Sequence, residues 1–258
     1  MNYFFLFGLL LFVYMSAWFV YSYIKSRNDV ADVAWGLGFV LLALSSFLFG
    51  EVRGVRGSLV LLLVAVWGIR LAWHIHKRNK GKTEDYRYAK WRQDWGKWFY
   101  LRSYAQVYLL QGALLFVIAL PFLLINKSSA QTLYSLGLLD FVGLAVWILG
   151  FVFESVGDSQ LAKFIKNPEN KGKLMQGGLW KYTRHPNYFG EVTMWWGIWI
   201  ISLSASAVFW SVISPITITF LILKVSGVPM LEKKMEENPE FAEYKKRTSV
   251  FVPWFPKT

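Results

Sequence analysis
The chain has 258 residues, of which 55% are hydrophobic, 19% aromatic and only 17% charged. That composition excludes an ordinary soluble domain, and the absence of cysteine excludes disulfides and thiolate chemistry. The net charge of +12 is spread unevenly, and this unevenness bears on membrane orientation rather than on nucleic-acid binding.

In chain order, apolar runs long enough to cross a bilayer predict about seven helices. The first covers residues 2–24. No basic region precedes it and no small-residue cleavage site follows, so a cleaved leader is not expected. The second, 30–49, carries Asp32 in its first turn. The third, 58–76, carries Arg70. A long polar segment, 77–102, holds Glu84-Asp85-Tyr86-Arg87-Tyr88 and several tryptophans. The fourth helix is 103–125, and the fifth runs from 136 to beyond Glu154. A basic connector, 159–178, leads to the sixth, 187–204. The seventh is 208–228, with Pro215 as its expected kink. A polar tail, 232–258, closes the chain. There is no internal repeat or low-complexity linker. The expectation is one all-α polytopic membrane domain over 1–258, with helices one to four in 1–125 and a second region in 126–258.

An odd number of spans puts the termini on opposite sides. The segments after helices one, three, five and seven hold 23 Lys and Arg; those after helices two, four and six hold 3. The positive-inside rule then places the long connectors and the C-terminus in the cytoplasm, with the N-terminus outside.

The stretch Gly177-Gly178-Leu179-Trp180-Lys181-Tyr182-Thr183-Arg184-His185-Pro186-Asn187-Tyr188-Phe189-Gly190-Glu191 is polar and basic, and an apolar helix begins inside it. Pro186 suits the first helical position, with His185 at the cap. The N–H groups that follow, beside Arg184 and His185, form a seat for a phosphate. Asn187 and Glu191, four apart, share a helix face.

Polar groups within spans are costly. Asp32 either suits the helix dipole or serves function. Arg70 either snorkels to the headgroups or lines a pocket with Trp67, Trp73 and His74. Glu154 and Asp158 oppose the local dipole at the end of helix five, which implies a donor partner. His74 and His76 diverge on their helix and His185 is the only other histidine, so no metal site is expected.

Gly177 to Tyr182 and Arg184 to Glu191 together resemble the C-terminal signature of the steroid 5α-reductase superfamily. The Arg-His-Pro-Asn-Tyr form is most similar to its sterol C=C reductase branch and to bacterial membrane proteins of that superfamily. The match extends to Asp158 upstream and to Tyr244 and Pro253 downstream, covering roughly residues 140–258. The resemblance implies an NADPH-dependent reductase of the bacterial inner membrane, with a cytoplasm-facing cofactor cavity. Asn187, with Glu191 nearby, matches the position at the nicotinamide. Asp158 matches the one at the adenosine half, and Lys173 matches one at phosphate. Glu154, Arg184, His185, Tyr188, Tyr244 and Arg70 complete the expected cofactor set. Glu154 stands where the steroid enzymes carry an amide, and Arg-His-Pro replaces their small residues. Trp67 aligns with the tyrosine that polarises the steroid ketone. Without that phenol a 3-ketosteroid is not implied, and Asp32, Tyr86 and Tyr88 become proton-donor candidates.

The implied reaction is hydride transfer to an activated C=C bond of a lipid-soluble substrate entering from the bilayer. Membrane lipids are the other expected partners, and a monomer is expected. Isoprenylcysteine and phospholipid methyltransferases carry a similar Arg-His-Pro-x-Tyr-x-Gly and a similar tail, so an S-adenosylmethionine-dependent methyltransferase is the alternative. A non-enzymatic lipid-binding protein is the second. The charge bias has a direct test. A cysteine introduced at Ser128 should label from outside intact cells, whereas cysteines at Lys80 or Asn170 should label only after permeabilisation. The reverse pattern inverts the topology.

Overall fold
Where the sequence offers a long apolar run and a capping residue, the chain is helical. The computed structural model describes residues 2–50, 53–127, 135–205 and 209–257; Ser128 and its turn lie outside them. Helix α1 (Tyr3–Lys25) starts where the Asn2 side chain accepts from the Phe4 N–H at 3.0 Å. It ends at Ser26, whose φ of 51° is left-handed. Helices α2 (Val30–Phe49) and α3 (Val55–Asn79) follow.

The polar segment expected at 77–102 is not a connector throughout. Asp85 caps α4 (Tyr86–Trp95) by accepting from the Arg87 N–H at 3.0 Å. From there one helical path of 42 residues runs to Lys127. It bends at Gly96, whose φ is +48°, then passes through α5 (Phe99–Ser103), a π-type stretch at 104–109 and α6 (Leu110–Lys127). Beyond it come α7 (Leu138–Lys166), α8 (Pro186–Leu203), α9 (Ile213–Phe220), α10 (Val228–Met235) and α11 (Phe241–Arg247). A π-type stretch at 221–225 lies beyond Pro215, which sits inside α9. Among the described residues the only β pairing is an isolated bridge between Thr183 and Ser249.

The protein is an all-α polytopic membrane protein. Six helical stretches among the described residues are long and apolar enough to cross a bilayer: Tyr3–Lys25, Val30–Phe49, Val55–Asn79, Tyr86–Lys127, Leu138–Lys166 and Phe209–Met235. The expected count was about seven. The stretch that falls short is α8, whose first turns carry Asn187, Glu191 and Thr193.

The chain divides into two compact units, Met1–Leu136 with Ala205–Ser211, and Gly137–Ser204 with Val212–Thr258. The main boundary falls at 136/137, whereas the sequence reading expected one domain with its regions meeting at 125/126. In the first unit, Gly36 of α2 and Gly68 of α3 face each other. A Cβ at either would come within 2.7 Å of the other's carbonyl oxygen.

The second unit is built on a longer glycine seam. Gly143, Gly150 and Gly157 recur every seven residues on α7, opposite Gly190 and Gly197, seven apart on α8. A Cβ on Gly143 would lie 2.6 Å from the Gly197 carbonyl oxygen, and one on Gly197 would lie 2.7 Å from that of Gly143. The two backbones are therefore in contact, the arrangement small residues permit inside membranes. Gly197→Ala should lower stability by about 1–3 kcal/mol, the usual cost of overpacking. Gly8→Ala, where a Cβ meets nothing within 4 Å, should leave it unchanged. Thermal melting of the detergent-solubilised variants checks this, and equal effects at both sites would remove the seam from the account of stability.

Candidate functional site
The glycine seam determines which polar groups of the second unit meet. Because Gly157 has no side chain, α8 begins close against α7: a Cβ there would lie 3.2 Å from the Asn187 backbone nitrogen. Asn187 can then donate from Nδ2 to Asp158 Oδ1 at 3.2 Å. Helix α7 continues to Lys166, so Asp158 lies about two turns inside it rather than at the end expected from the sequence, and one of its donors is this amide. The other end of that amide, Asn187 Oδ1, is buried with no hydrogen-bond partner among the described residues. Glu154, one turn back on α7, is buried beside the backbone of Gly190. Glu191 is half-buried on α8, one turn beyond Asn187.

The loop before α8 is fastened on both sides. On one side, Leu179 N–H donates to Gln160 Oε1 at 2.9 Å, and the Trp180 indole donates to the Gly157 carbonyl at 3.1 Å. On the other, the Tyr244 hydroxyl donates to the Trp180 carbonyl at 2.6 Å, and burial pushes that phenol's pKa upward. Thr183 Oγ1 donates to the Phe251 carbonyl at 2.8 Å, and Arg184 N–H to the Ser249 carbonyl at 2.9 Å.

Arg184 and His185 do not flank an open phosphate seat. The Arg184 guanidinium is buried, donating to Glu232 Oε1 at 2.8 Å and to the carbonyls of Thr248 and Lys245 at 2.6 and 3.2 Å. His185 is fully buried at the N-cap position but makes no side-chain cap. Its Nε2 lies 3.2 Å from Glu232 Oε1, and its ring stacks on Tyr188 at 5.5 Å. Its Nδ1 has no hydrogen-bond partner among the described residues. The sequence reading missed Glu232 as the organiser of this cluster. Its signal was weak, one acid in a Glu-rich tail 48 residues beyond Arg184. Lys173 lies elsewhere in the unit, in a cleft of about 440 Å³ shared with Gly172, Leu231, Lys234, Glu237 and Asn238.

Asp32, Trp67, Arg70, Tyr86 and Tyr88 belong to the first unit. There Asp32 accepts from the Tyr88 hydroxyl at 2.7 Å and from Arg87 at 2.8 Å, so it is held by partners rather than by a helix dipole alone. Arg87 also pairs with Asp85 at 3.0 Å. Burial raises the Asp85 pKa, but the hydrogen bonds and charge of Arg87 outweigh it and hold the carboxyl below the usual range. Tyr88 is buried, whereas Tyr86 is exposed. Trp67 is buried edge-on against Phe39 and Trp73 is exposed, so the two do not line one pocket with the half-buried Arg70.

Sequence comparison assigns this arrangement to a family. The family described as "Protein of unknown function (DUF1295)" matches residues 18–248. The chain belongs to that family. It is a member of the steroid 5α-reductase-like superfamily. The chain is 24% identical to the uncharacterised protein C594.04c of Schizosaccharomyces pombe, over 92% of this chain and 75% of that one. It is 27% identical to 3-oxo-5-alpha-steroid 4-dehydrogenase 1 of Rattus norvegicus, over 43% of this chain and 40% of that one. It is 33% identical to the probable O-methyltransferase ustE of Ustilaginoidea virens, over 38% of this chain and 39% of that one. The chain thus spans about two fifths of the length of the rat dehydrogenase and of the methyltransferase. No solved structure matches.

The Arg184–Glu232 pair carries a stability prediction. Both side chains are largely buried, so removing one charge leaves the other without compensation. Glu232→Ala should destabilise the protein by about 3 kcal/mol. Denaturant melting in detergent checks this, and a loss near zero would mean that the two carbonyls suffice for Arg184.

Proposed function
We propose that this DUF1295 protein is an NADPH-dependent membrane reductase that saturates an activated C=C bond of a lipid-soluble substrate. The observation that carries the reading is the Asp158–Asn187 pair with its buried, unpaired Asn187 Oδ1. An unpaired acceptor in a buried place costs free energy unless a ligand donor meets it, and the N–H2 of a nicotinamide carboxamide is such a donor. Asp158 and Glu154 add acceptors for ribose or adenine groups on the same side of α7. The Lys173 and Lys234 cleft suits a phosphate, and a 2′-phosphate adds charge that Lys can meet. Arg184, His185, Tyr188 and Tyr244 hold the loop rather than the ligand.

When bound, the dihydronicotinamide supplies a hydride to one carbon of the double bond; the neighbouring carbon takes a proton. Lipids and the lipophilic substrate are the partners. The protein acts as a monomer in a bacterial plasma membrane, with its C-terminus and the α7–α8 loop cytoplasmic.

A methyltransferase is the second reading, favoured by the ustE match. The ammonium and ribose hydroxyls of S-adenosylmethionine are also donors for Asn187 and Asp158.

Thermal shift of the detergent-solubilised protein with NADPH, NADH and S-adenosylmethionine separates the readings. NADPH should stabilise most and NADH less. Asn187→Ala and Glu191→Gln should leave melting without ligand nearly unchanged and weaken NADPH binding by about 1–3 kcal/mol each. Stabilisation by S-adenosylmethionine alone selects the methyltransferase, and no response to any of the three selects a lipid-binding role.

A further inference from the structure
The C-terminal tail presents large aromatic side chains to the outside, yet it is not a loose end. Trp254 is 70% exposed and Phe255 is 77% exposed, with Val252 exposed beside them. Neither aromatic lies in a helix capable of spanning a membrane. The backbone under them is held at several points. Trp254 N–H donates to the Tyr182 carbonyl at 2.9 Å, and Lys257 N–H donates to the Arg247 carbonyl at 2.9 Å. Thr183 meets the carbonyl of Phe251, and Phe255 packs edge-on against Tyr182. A segment fixed this firmly would bury its aromatic groups if the chain had an interior place for them. Instead they are held outward.

The height of the tail along the helices identifies what lies outside it. Phe251 packs against Phe189 in the first turn of α8, with ring centroids 5.7 Å apart, and Phe189 packs against Phe153 of α7 at 5.1 Å. Helix α7 has 29 residues, about 43 Å at 1.5 Å per residue, against a hydrocarbon core of about 30 Å. Phe153 closes the apolar run of that helix, directly before Glu154 and Asp158. The ladder Phe153–Phe189–Phe251 therefore brings the tail to the edge of the membrane-spanning zone. Charge gives the second argument. From Tyr244 to Lys257 the sequence holds Lys245, Lys246, Arg247 and Lys257 and no acid. All four are exposed, as is Lys181 next to Tyr182. Exposed Trp and Phe bordered by Lys and Arg match the interface of a bilayer with anionic headgroups, where aromatic rings sit among the headgroups and cations meet phosphate.

We propose that the Val252–Phe255 segment is an interfacial membrane anchor that docks on an anionic leaflet. Through Tyr182 it also fastens the loop before α8 to that surface.

The chain has no cysteine, so Phe255→Cys and Glu243→Cys each create a single labelling site for an environment-sensitive nitrobenzoxadiazole dye. Glu243, exposed on α11, is the aqueous control. The full chain is reconstituted into phosphatidylcholine vesicles with and without phosphatidylglycerol. The dye at position 255 should shift to the blue, be quenched by phospholipids carrying a spin label near the headgroup and resist iodide. These effects should strengthen as phosphatidylglycerol is added, while the dye at 243 should be quenched by iodide throughout. The proposal is overturned if the two positions respond alike or if phosphatidylglycerol makes no difference. It is also overturned if protection at 255 appears in detergent and rises with protein concentration, because a second copy of the chain would then be the occupant.

Discussion

The glycine seam between α7 and α8 is the constraint on which the second unit depends. Two helices whose carbonyl oxygens lie within van der Waals reach of each other's backbone have no room for side chains between them. Their register is therefore fixed, and so are the polar residues at the rim of the contact. Gly157 brings the start of α8 against α7, which puts the Asn187 amide within hydrogen-bond reach of Asp158. Gly190 and Gly150 close the next turn, where Glu154 is buried. Between helices in lipid there is little hydrophobic driving force, so close backbone packing and the polar contact at its end stabilise the pair together.

Around that seam the basic loop is held by neighbours distant in sequence. Glu232 of α10 takes both Arg184 and His185, and carbonyls of the tail take what remains of the guanidinium. A buried arginine with a carboxylate and two carbonyls has its donors largely met, which makes a polar cluster of this kind tolerable. The residues that looked most suited to binding an anion are thus the ones that hold the loop in shape. The first unit uses similar chemistry: Arg27, Glu84, Arg92 and Arg87 join the α1–α2 turn and the start of α2 to residues 82–92 through hydrogen bonds of 2.6 to 3.1 Å.

The sequence made the helices legible because apolar length and end signals are local. The first two helices were read to within a residue or two, and Pro186 marked the start of α8 for reasons of its own φ and missing N–H. The pairing of Asp158 with an amide was half visible, since an acid within an apolar helix calls for a donor but does not say which; that the helix runs on to Lys166 was not visible. The fate of Arg184 was not visible, because its partners lie 48 to 64 residues downstream and nothing in the spacing links them. Trp67 and Trp73 shared a helix face on paper, yet which part of that face meets protein depends on neighbouring helices. The period-seven glycines were present in the sequence but stood among 20 glycines, and spacing alone does not say which of them meet another helix.

The last residues of a protein are commonly where a reading-frame error does least harm. Here a premature stop codon after Arg247 would delete the carbonyls of Thr248, Ser249 and Phe251, and with them the contacts that hold Arg184 and Thr183. The lesion would lie 64 residues beyond Arg184, but its effect would be felt at the start of α8, next to Asn187. In this chain a truncation after Arg247 therefore acts on the same loop as a missense change at Thr183 or Arg184.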